Sequence, residues 1–122
     1  MKLPKIYHVN WFRKSSTGKF IWPGFGENSR VLEWILNRLV DKVGCEETII
    51  GNVPIISDFN LKGLDESAID MKELFSIPVD FWDKEVDELT KYFNEQVGAH
   101  LPNQIRNELN KLRDKINDLK TQ

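Results

Sequence analysis

Residues 20–34 read FIWPGFGENSRVLEW, and the pattern of apolar residues changes within this stretch. The run from Phe20 to Trp22 is aromatic and β-branched, which favours a short strand. Two glycines follow it. Asn28 or Ser29 is then suited to cap a helix, and Gly44 to end it. The apolar spacing of one helix face begins after the glycines, at Leu32, Ile35, Leu36, Leu39 and Val43.

A second strand is predicted on the N-terminal side of this stretch. Ile6 to Phe12 is again β-branched and aromatic, whereas residues 13–19 are polar and contain Gly18, as in a turn. We therefore predict a β-hairpin that brings Phe12 and Phe20 near each other, followed by the glycine-rich loop and the helix.

The C-terminal side is predicted to be mostly helical. Residues 45–76 form an irregular connection, in which Pro54 disfavours a central strand and Met71 to Phe75 favours a short helix. Residues 77–122 form a helical tail, broken at residues 98–100, with Pro102 suited to the first turn of the last helix. The tail repeats apolar residues at Trp82, Val86, Leu89, Phe93 and Val97, then at Leu101, Ile105, Leu109, Leu112, Ile116 and Leu119. This pattern predicts an antiparallel helical hairpin and an α+β fold, with residues 1–44 as its N-terminal part.

Composition excludes several classes of protein. The 122 residues are 40% hydrophobic and 30% charged, an ordinary mixture for one globular domain. The net charge of -2 argues against a general nucleic-acid binder, and no apolar run approaches the ~20 residues of a membrane helix. The single Cys45 excludes an internal disulfide and fits a reducing compartment.

Basic residues concentrate in the first quarter of the chain, where Glu27 is the one acid. Such a patch can attract an anion such as phosphate; the alternative is a solvated surface. The basic residues among the first 30 are Lys2, Lys5, Arg13, Lys14, Lys19 and Arg30.

Residues suited to catalysis are few. His8 and His100 lie far apart in sequence, without a carboxylate or cysteine cluster, and His8 is better suited to a structural role on its strand. Cys45 has no basic neighbour in sequence that would lower its pKa. No metalloprotease, nucleophile-elbow or phosphate-loop motif is present. We therefore predict neither a catalytic residue nor a metal site.

The aromatic residues around the glycines admit two interpretations. Flat rings can sandwich a nucleobase, glycines let the backbone approach a planar ligand closely, and loop N–H groups offer hydrogen-bond donors. The alternative is a small hydrophobic core with a glycine turn. The cluster consists of Trp11, Phe12, Phe20, Trp22 and Phe25, with Gly24 and Gly26.

A family resemblance favours the first interpretation. Residues 5–14 and 18–34 closely resemble the C-terminal part of GTP-dependent phosphoenolpyruvate carboxykinases. The resemblance is weaker through residues 50–54 and 61–64, resumes at residues 73–77 and 81–82, and continues as a pattern through the helical tail. It covers all 122 residues, which look like the end of a much longer enzyme.

The resemblance implies a guanine site. In that family the phenylalanines at the positions of Phe12 and Phe25 sandwich the base, and the one at Phe20 closes the pocket edge. Trp11 would buttress the pocket, and Asn28 would lie near the Watson–Crick edge. The implied nucleotide-binding residues are Trp11, Phe12, Phe20, Phe25, Gly26, Glu27 and Asn28.

The resemblance also implies the reaction, in which oxaloacetate and GTP give phosphoenolpyruvate, carbon dioxide and GDP in gluconeogenesis. That decarboxylating lyase needs Mn²⁺ and Mg²⁺, a phosphate-binding loop, a reactive cysteine, substrate arginines and a lid. None of these can be placed here, and Cys45 does not match the reactive cysteine. The implied partners are therefore a guanine nucleotide and the remainder of the parent enzyme, with no nucleic acid and no membrane. The isolated chain is expected to be inactive, and the parent to be monomeric and cytoplasmic, with a mitochondrial isozyme left open.

Two further interpretations remain open. In the first, the chain is a stand-alone nucleotide-binding module. In the second, it is a helical interaction module whose tail binds a partner while the aromatic cluster forms a core.

Overall fold

The α+β prediction is confirmed by the computed structural model, which describes residues 3–121. Four short 3-10 turns separate the main elements, at Phe25–Glu27, Ile56–Asp58, Glu66–Ala68 and Gly98–His100. The helices and strands, in chain order, are α1 (Asn28–Leu39), β1 (Glu46–Thr48), β2 (Gly51–Val53), α2 (Met71–Phe75), α3 (Val79–Gln96) and α4 (Asn103–Lys120).

The N-terminal hairpin is present as a tight antiparallel turn. Lys14 and Phe20 form an isolated antiparallel bridge, and the Ile21 N–H donates to the Arg13 carbonyl at 3.0 Å. The predictions of a regular strand from Ile6 to Phe12 and of a short strand from Phe20 to Trp22 are wrong, because the strand pairing of residues 6–22 is limited to the bridge between Lys14 and Phe20. The Phe12 N–H donates to Asn10 Oδ1 at 3.0 Å, a local turn that competes with strand pairing.

The described chain divides into two compact units, residues 3–47 with 52–76 and residues 48–51 with 77–121. The core of the first unit contains three aromatic side chains in edge-to-face contact. The Phe59 ring lies 5.9 Å from the Trp22 ring and 6.0 Å from the Phe75 ring, measured between centroids. Such contacts add specific geometry to the burial of apolar surface. The buried residues of this core are Ile21, Trp22, Trp34, Phe59, Ile69 and Met71.

The N-cap of helix α1 is Glu27, whose side chain makes no capping hydrogen bond. Asn28 is therefore the first helical residue, and the prediction that Asn28 or Ser29 caps the helix is wrong. The helix also ends at Leu39, before the predicted stop at Gly44. Asp41 ends it instead, because its φ of +56° is left-handed and incompatible with helix continuation.

The region predicted as irregular contains a small hairpin. Strands β1 and β2 are joined by Ile49 and Ile50, and Thr48 Oγ1 donates to the Gly51 carbonyl at 2.7 Å. Sequence reasoning missed this hairpin because its turn lacks the Asn-Gly or Asp-Gly pair that usually signals one. The predicted short helix from Met71 to Phe75 is confirmed and is capped by Asp70.

Helices α3 and α4 form the predicted antiparallel hairpin. Val86 and Ile116 are fully buried between them, each residue being 0% exposed. Arg113, late in α4, donates to Asp83 at 2.8 Å and also pairs with Asp87, both early in α3. Pro102 directly precedes α4. Within residues 3–121, no helix combines the length and the hydropathy needed to cross a membrane.

Candidate nucleotide-binding site

The aromatic cluster divides into a buried part and an exposed part. Trp22 belongs to the core, and Trp11 is half-buried against it. Phe12, Phe20 and Phe25 are instead 70%, 58% and 98% exposed. The small-core interpretation therefore holds for the tryptophans and fails for the three phenylalanines.

The hairpin turn brings Phe12 and Phe20 together, as its sequence predicts. Their ring centroids lie 5.9 Å apart, and the ring planes are inclined at 61°. Lys14 Nζ lies 5.4 Å from the centroid of the Phe20 ring, within the range of a cation–π contact. The result is an exposed aromatic pair with an adjacent positive charge.

Arg13 ties this hairpin to the end of α2. Its guanidinium donates to the Leu74 carbonyl at 2.6 Å and to Ser76 Oγ at 2.8 Å, and the Ser16 N–H donates to Glu73 Oε1 at 3.1 Å. Partial burial lowers the pKa of Arg13, and the nearby Glu73 carboxylate opposes that shift. An arginine stays charged at neutral pH even so. Its two hydrogen bonds therefore tie the residue next to Phe12 to the end of α2.

Arg30 is also committed to structure. Its Nε donates to Glu27 Oε2 at 2.5 Å, while its terminal nitrogens donate to the carbonyls of Asn60 at 2.8 Å and Lys62 at 3.0 Å. Arg13 and Arg30, two of the basic residues that suggested an anion site, thus bind other groups of the chain. The Glu27 carboxylate is likewise bound by Arg30.

The glycine-rich loop ends in a 3-10 turn. Gly24 has a φ of +91°, a left-handed conformation that glycine adopts without strain. The Glu27 N–H donates to the Gly24 carbonyl at 2.9 Å, and the Asn28 N–H donates to the Phe25 carbonyl. Both groups are therefore occupied within the turn. The N–H groups of Phe25 and Gly26 open the turn, where no earlier carbonyl of the turn can accept from them.

Asn28 has a partner that its sequence position does not reveal. Its side-chain Oδ1 accepts a hydrogen bond from Trp22 Nε1 at 2.9 Å. An indole nitrogen can only donate, so the oxygen of the amide must face it. The amide nitrogen, a donor with two hydrogens, consequently points away from the indole.

The predicted site residues are thus only partly assembled. Phe12 and Phe20 touch, and Phe25, Gly26 and Glu27 share the turn that leads to Asn28. No other ring of residues 3–121 stacks on Phe25. Sequence reasoning missed the roles of Arg13 and Trp22. Arg13 bonds to residues more than 60 positions away, so no local spacing could have revealed it.

The remaining candidate residues are His8, His100 and Cys45. His8 and His100 are exposed. Cys45 Sγ lies 3.4 Å from an Arg38 guanidinium nitrogen, a basic neighbour that the sequence did not suggest. Across the part of the chain that is described, no group of three or more His, Cys, Asp or Glu side chains could hold a metal ion.

Comparison with known proteins identifies the family. Residues 1–115 match the family model of the phosphoenolpyruvate carboxykinase C-terminal P-loop domain. The chain is 53% identical to the cytosolic phosphoenolpyruvate carboxykinase (GTP) of Gallus gallus over 97% of its length, and 51% identical to that of Bos taurus, also over 97%. It is 49% identical over 94% of its length to the mitochondrial form of Mus musculus.

These matches cover nearly all of this chain but only a small part of each relative. The chain spans about a fifth of the length of the curated relatives that it matches, 19% for the two cytosolic proteins and 18% for the mouse protein. The match still covers nearly all of the chain, including the phenylalanines and the glycine loop. The chain therefore belongs to the GTP-dependent phosphoenolpyruvate carboxykinase family.

Proposed function

We propose that this chain supplies the guanine-recognition part of a GTP-dependent phosphoenolpyruvate carboxykinase. The observation that carries the proposal is the exposure of three phenylalanines, Phe12 and Phe20 at the hairpin turn and Phe25 in the glycine-rich turn that follows. Large aromatic side chains dominate protein cores, so three exposed phenylalanines that are close in sequence point to a surface built for a ligand.

The proposed roles are those that the family resemblance implies for each ring. Phe12 and Phe25 contribute the two faces of a slot for the base, Phe20 closes its edge, and Trp11 supports it from the core side. The packing of Trp11 against the buried residues supports that last role. Stacking is worth about 1–3 kcal/mol per base, and it also covers apolar ring surface that otherwise faces water.

The polar groups at the turn favour guanine over adenine. Guanine presents a carbonyl acceptor at position 6, whereas adenine presents an amine donor there. The Asn28 amide nitrogen and the N–H groups of Phe25 and Gly26 are donors, so they complement guanine and oppose adenine. A mismatch of this kind, with a polar group left unpaired, can discriminate strongly.

The same proposal places the rest of the chemistry outside this chain. The nucleotide is GTP or GDP, and its phosphates, Mn²⁺, Mg²⁺ and oxaloacetate are held by other parts of the longer enzyme. The isolated chain is therefore proposed to be inactive. We propose a monomeric enzyme that binds neither nucleic acid nor membrane. A cytoplasmic location is supported by the cytosolic relatives from chicken and cattle, while the mouse relative keeps the mitochondrial alternative open.

A fluorescence titration of the chain with GTP, and then with ATP, tests this proposal. Trp11 and Trp22 lie beside the proposed slot and serve as reporters. Two stacking faces, offset by the cost of association, predict a dissociation constant of roughly 1 mM for GTP. Free N-acetyltryptophanamide, titrated in parallel, corrects for light absorbed by the nucleotide. Equal responses to GTP and ATP, or no response to GTP, would contradict the proposal.

A further inference from the structure

We propose that Trp22 determines nucleotide specificity without touching the nucleotide, by fixing which end of the Asn28 amide is offered to the base. The inference rests on the proposed guanine site. It adds a positioning residue that neither the motif nor the family match assigns.

Trp22 is held rigidly enough for this role. The residue is only 4% exposed, and its ring packs edge-to-face on Phe59 with the centroids 5.9 Å apart. The backbone of the preceding Ile21 is hydrogen-bonded to Arg13 across the hairpin. The indole N–H that reaches Asn28 therefore starts from the core and from the same hairpin that carries Phe12 and Phe20.

The indole N–H is compatible with only one orientation of the Asn28 amide. Its nitrogen donates at 2.9 Å to the Asn28 oxygen and has no lone pair with which to accept. Turning the amide over would set two donors against each other and leave a buried indole N–H unpaired. Such a loss typically favours the observed orientation by about tenfold or more.

This orientation decides which group faces position 6 of the purine, where guanine has a carbonyl and adenine an amine. The amide nitrogen remains as a donor, which complements the guanine carbonyl and opposes the adenine amine. Without the indole N–H, the amide can rotate to present its oxygen, which accepts from the adenine amine equally well. Trp22 thus converts a side chain that could read either base into one that reads guanine.

The chain offers a matched control for the size of the substituted ring. Trp34 is also buried in the core of the first unit, with 6% exposed, and within the described residues its Nε1 has no hydrogen-bond partner. Trp22→Phe and Trp34→Phe therefore remove a similar volume from one core. Only Trp22→Phe removes a hydrogen bond to Asn28.

Titrations of the 122-residue chain by ¹H–¹⁵N NMR test the inference, because this readout does not depend on tryptophan emission. The dissociation constants of GTP and ATP are measured for the wild type and both variants. We expect the ratio of ATP to GTP constants to fall about tenfold in Trp22→Phe. The ratio should stay within about twofold of the wild type in Trp34→Phe, where core packing changes but the amide is not released. An unchanged ratio in Trp22→Phe would overturn the inference.

Asn28→Asp provides a second test that keeps the core intact. A carboxylate still accepts from the indole N–H, but its other oxygen is an acceptor and now faces position 6 of the purine, where guanine has a carbonyl acceptor and adenine an amine donor. The preference for GTP should then be lost or reversed, and a retained preference would contradict the inference. A wild-type chain that does not distinguish GTP from ATP would instead refute the proposed function itself.

Discussion

The helical hairpin of α3 and α4 and the aromatic turn of residues 12–28 use apolar side chains in opposite ways. In the helices, apolar residues recur at helical spacing, and Val86 and Ile116 are fully buried. In the turn, Phe12, Phe20 and Phe25 follow no period and remain largely exposed. Regular spacing places side chains on one face, where a partner helix can cover them. Irregular spacing beside glycines provides no common face, and the rings stay exposed.

The largest expected effect is a loss of stability in the helical hairpin. Ile116→Ala should destabilise the helical hairpin by about 3 kcal/mol, because deleting a fully buried branched side chain loses its transfer free energy and leaves a cavity. Guanidinium unfolding followed by far-UV circular dichroism measures the change. Ile105→Ala, in the same helix but 44% exposed, is the control and should cost less than about 1 kcal/mol. Equal losses in the two variants would show that exposure does not separate these positions.

A smaller effect is expected on GTP binding at the aromatic turn. Phe25→Ala should weaken GTP binding by about tenfold, the lower part of the range for losing one stacking face. The free energy of unfolding should change by less than about 0.5 kcal/mol, because the ring is almost fully exposed and supports no core. Tyr92→Ala, an exposed aromatic in α3, is the control for GTP binding. A marked loss of stability in Phe25→Ala would assign the ring to the core instead.

The smallest expected effect concerns the ion pairs of the helical hairpin. Hydrogen bonding to Lys120, supported by the charges of Lys120 and Arg113, lowers the pKa of Asp83. Because the folded pKa is depressed, the stabilisation is present above the ordinary aspartate pKa of about 3.9 and is lost as the pH falls through the folded value. Asp83→Asn should therefore be slightly less stable than the wild type at neutral pH and equally stable in strong acid.

Urea unfolding of both chains at neutral and strongly acidic pH checks this expectation. Glu88→Gln, which replaces an exposed carboxylate of the same helix, controls for the change in net charge. A difference between Asp83→Asn and the wild type that persisted unchanged in strong acid would show that ionisation of Asp83 is not its source.

Local chemistry explains which predictions succeeded. The residues from Met71 to Phe75 predict α2, and the apolar spacing predicts α3 and α4, because each signal lies within the structure it produces. The hairpin of β1 and β2 lacks a recognisable turn pair. The strand predicted from Ile6 to Phe12 fails because Asn10 offers its side chain to the backbone.

By itself, the sequence determined the helical tail, the order of turn, glycine loop and helix, and the family. These depend on periodicity, turn residues and a long motif, all of which are local. Only the tertiary structure decided that Trp22 is buried while Phe25 is exposed, that Arg13 anchors the hairpin to α2, and that Asn28 accepts from an indole instead of capping its helix. Burial and hydrogen-bond partners depend on which distant segments meet, and the spacing of residues along one chain does not contain that information.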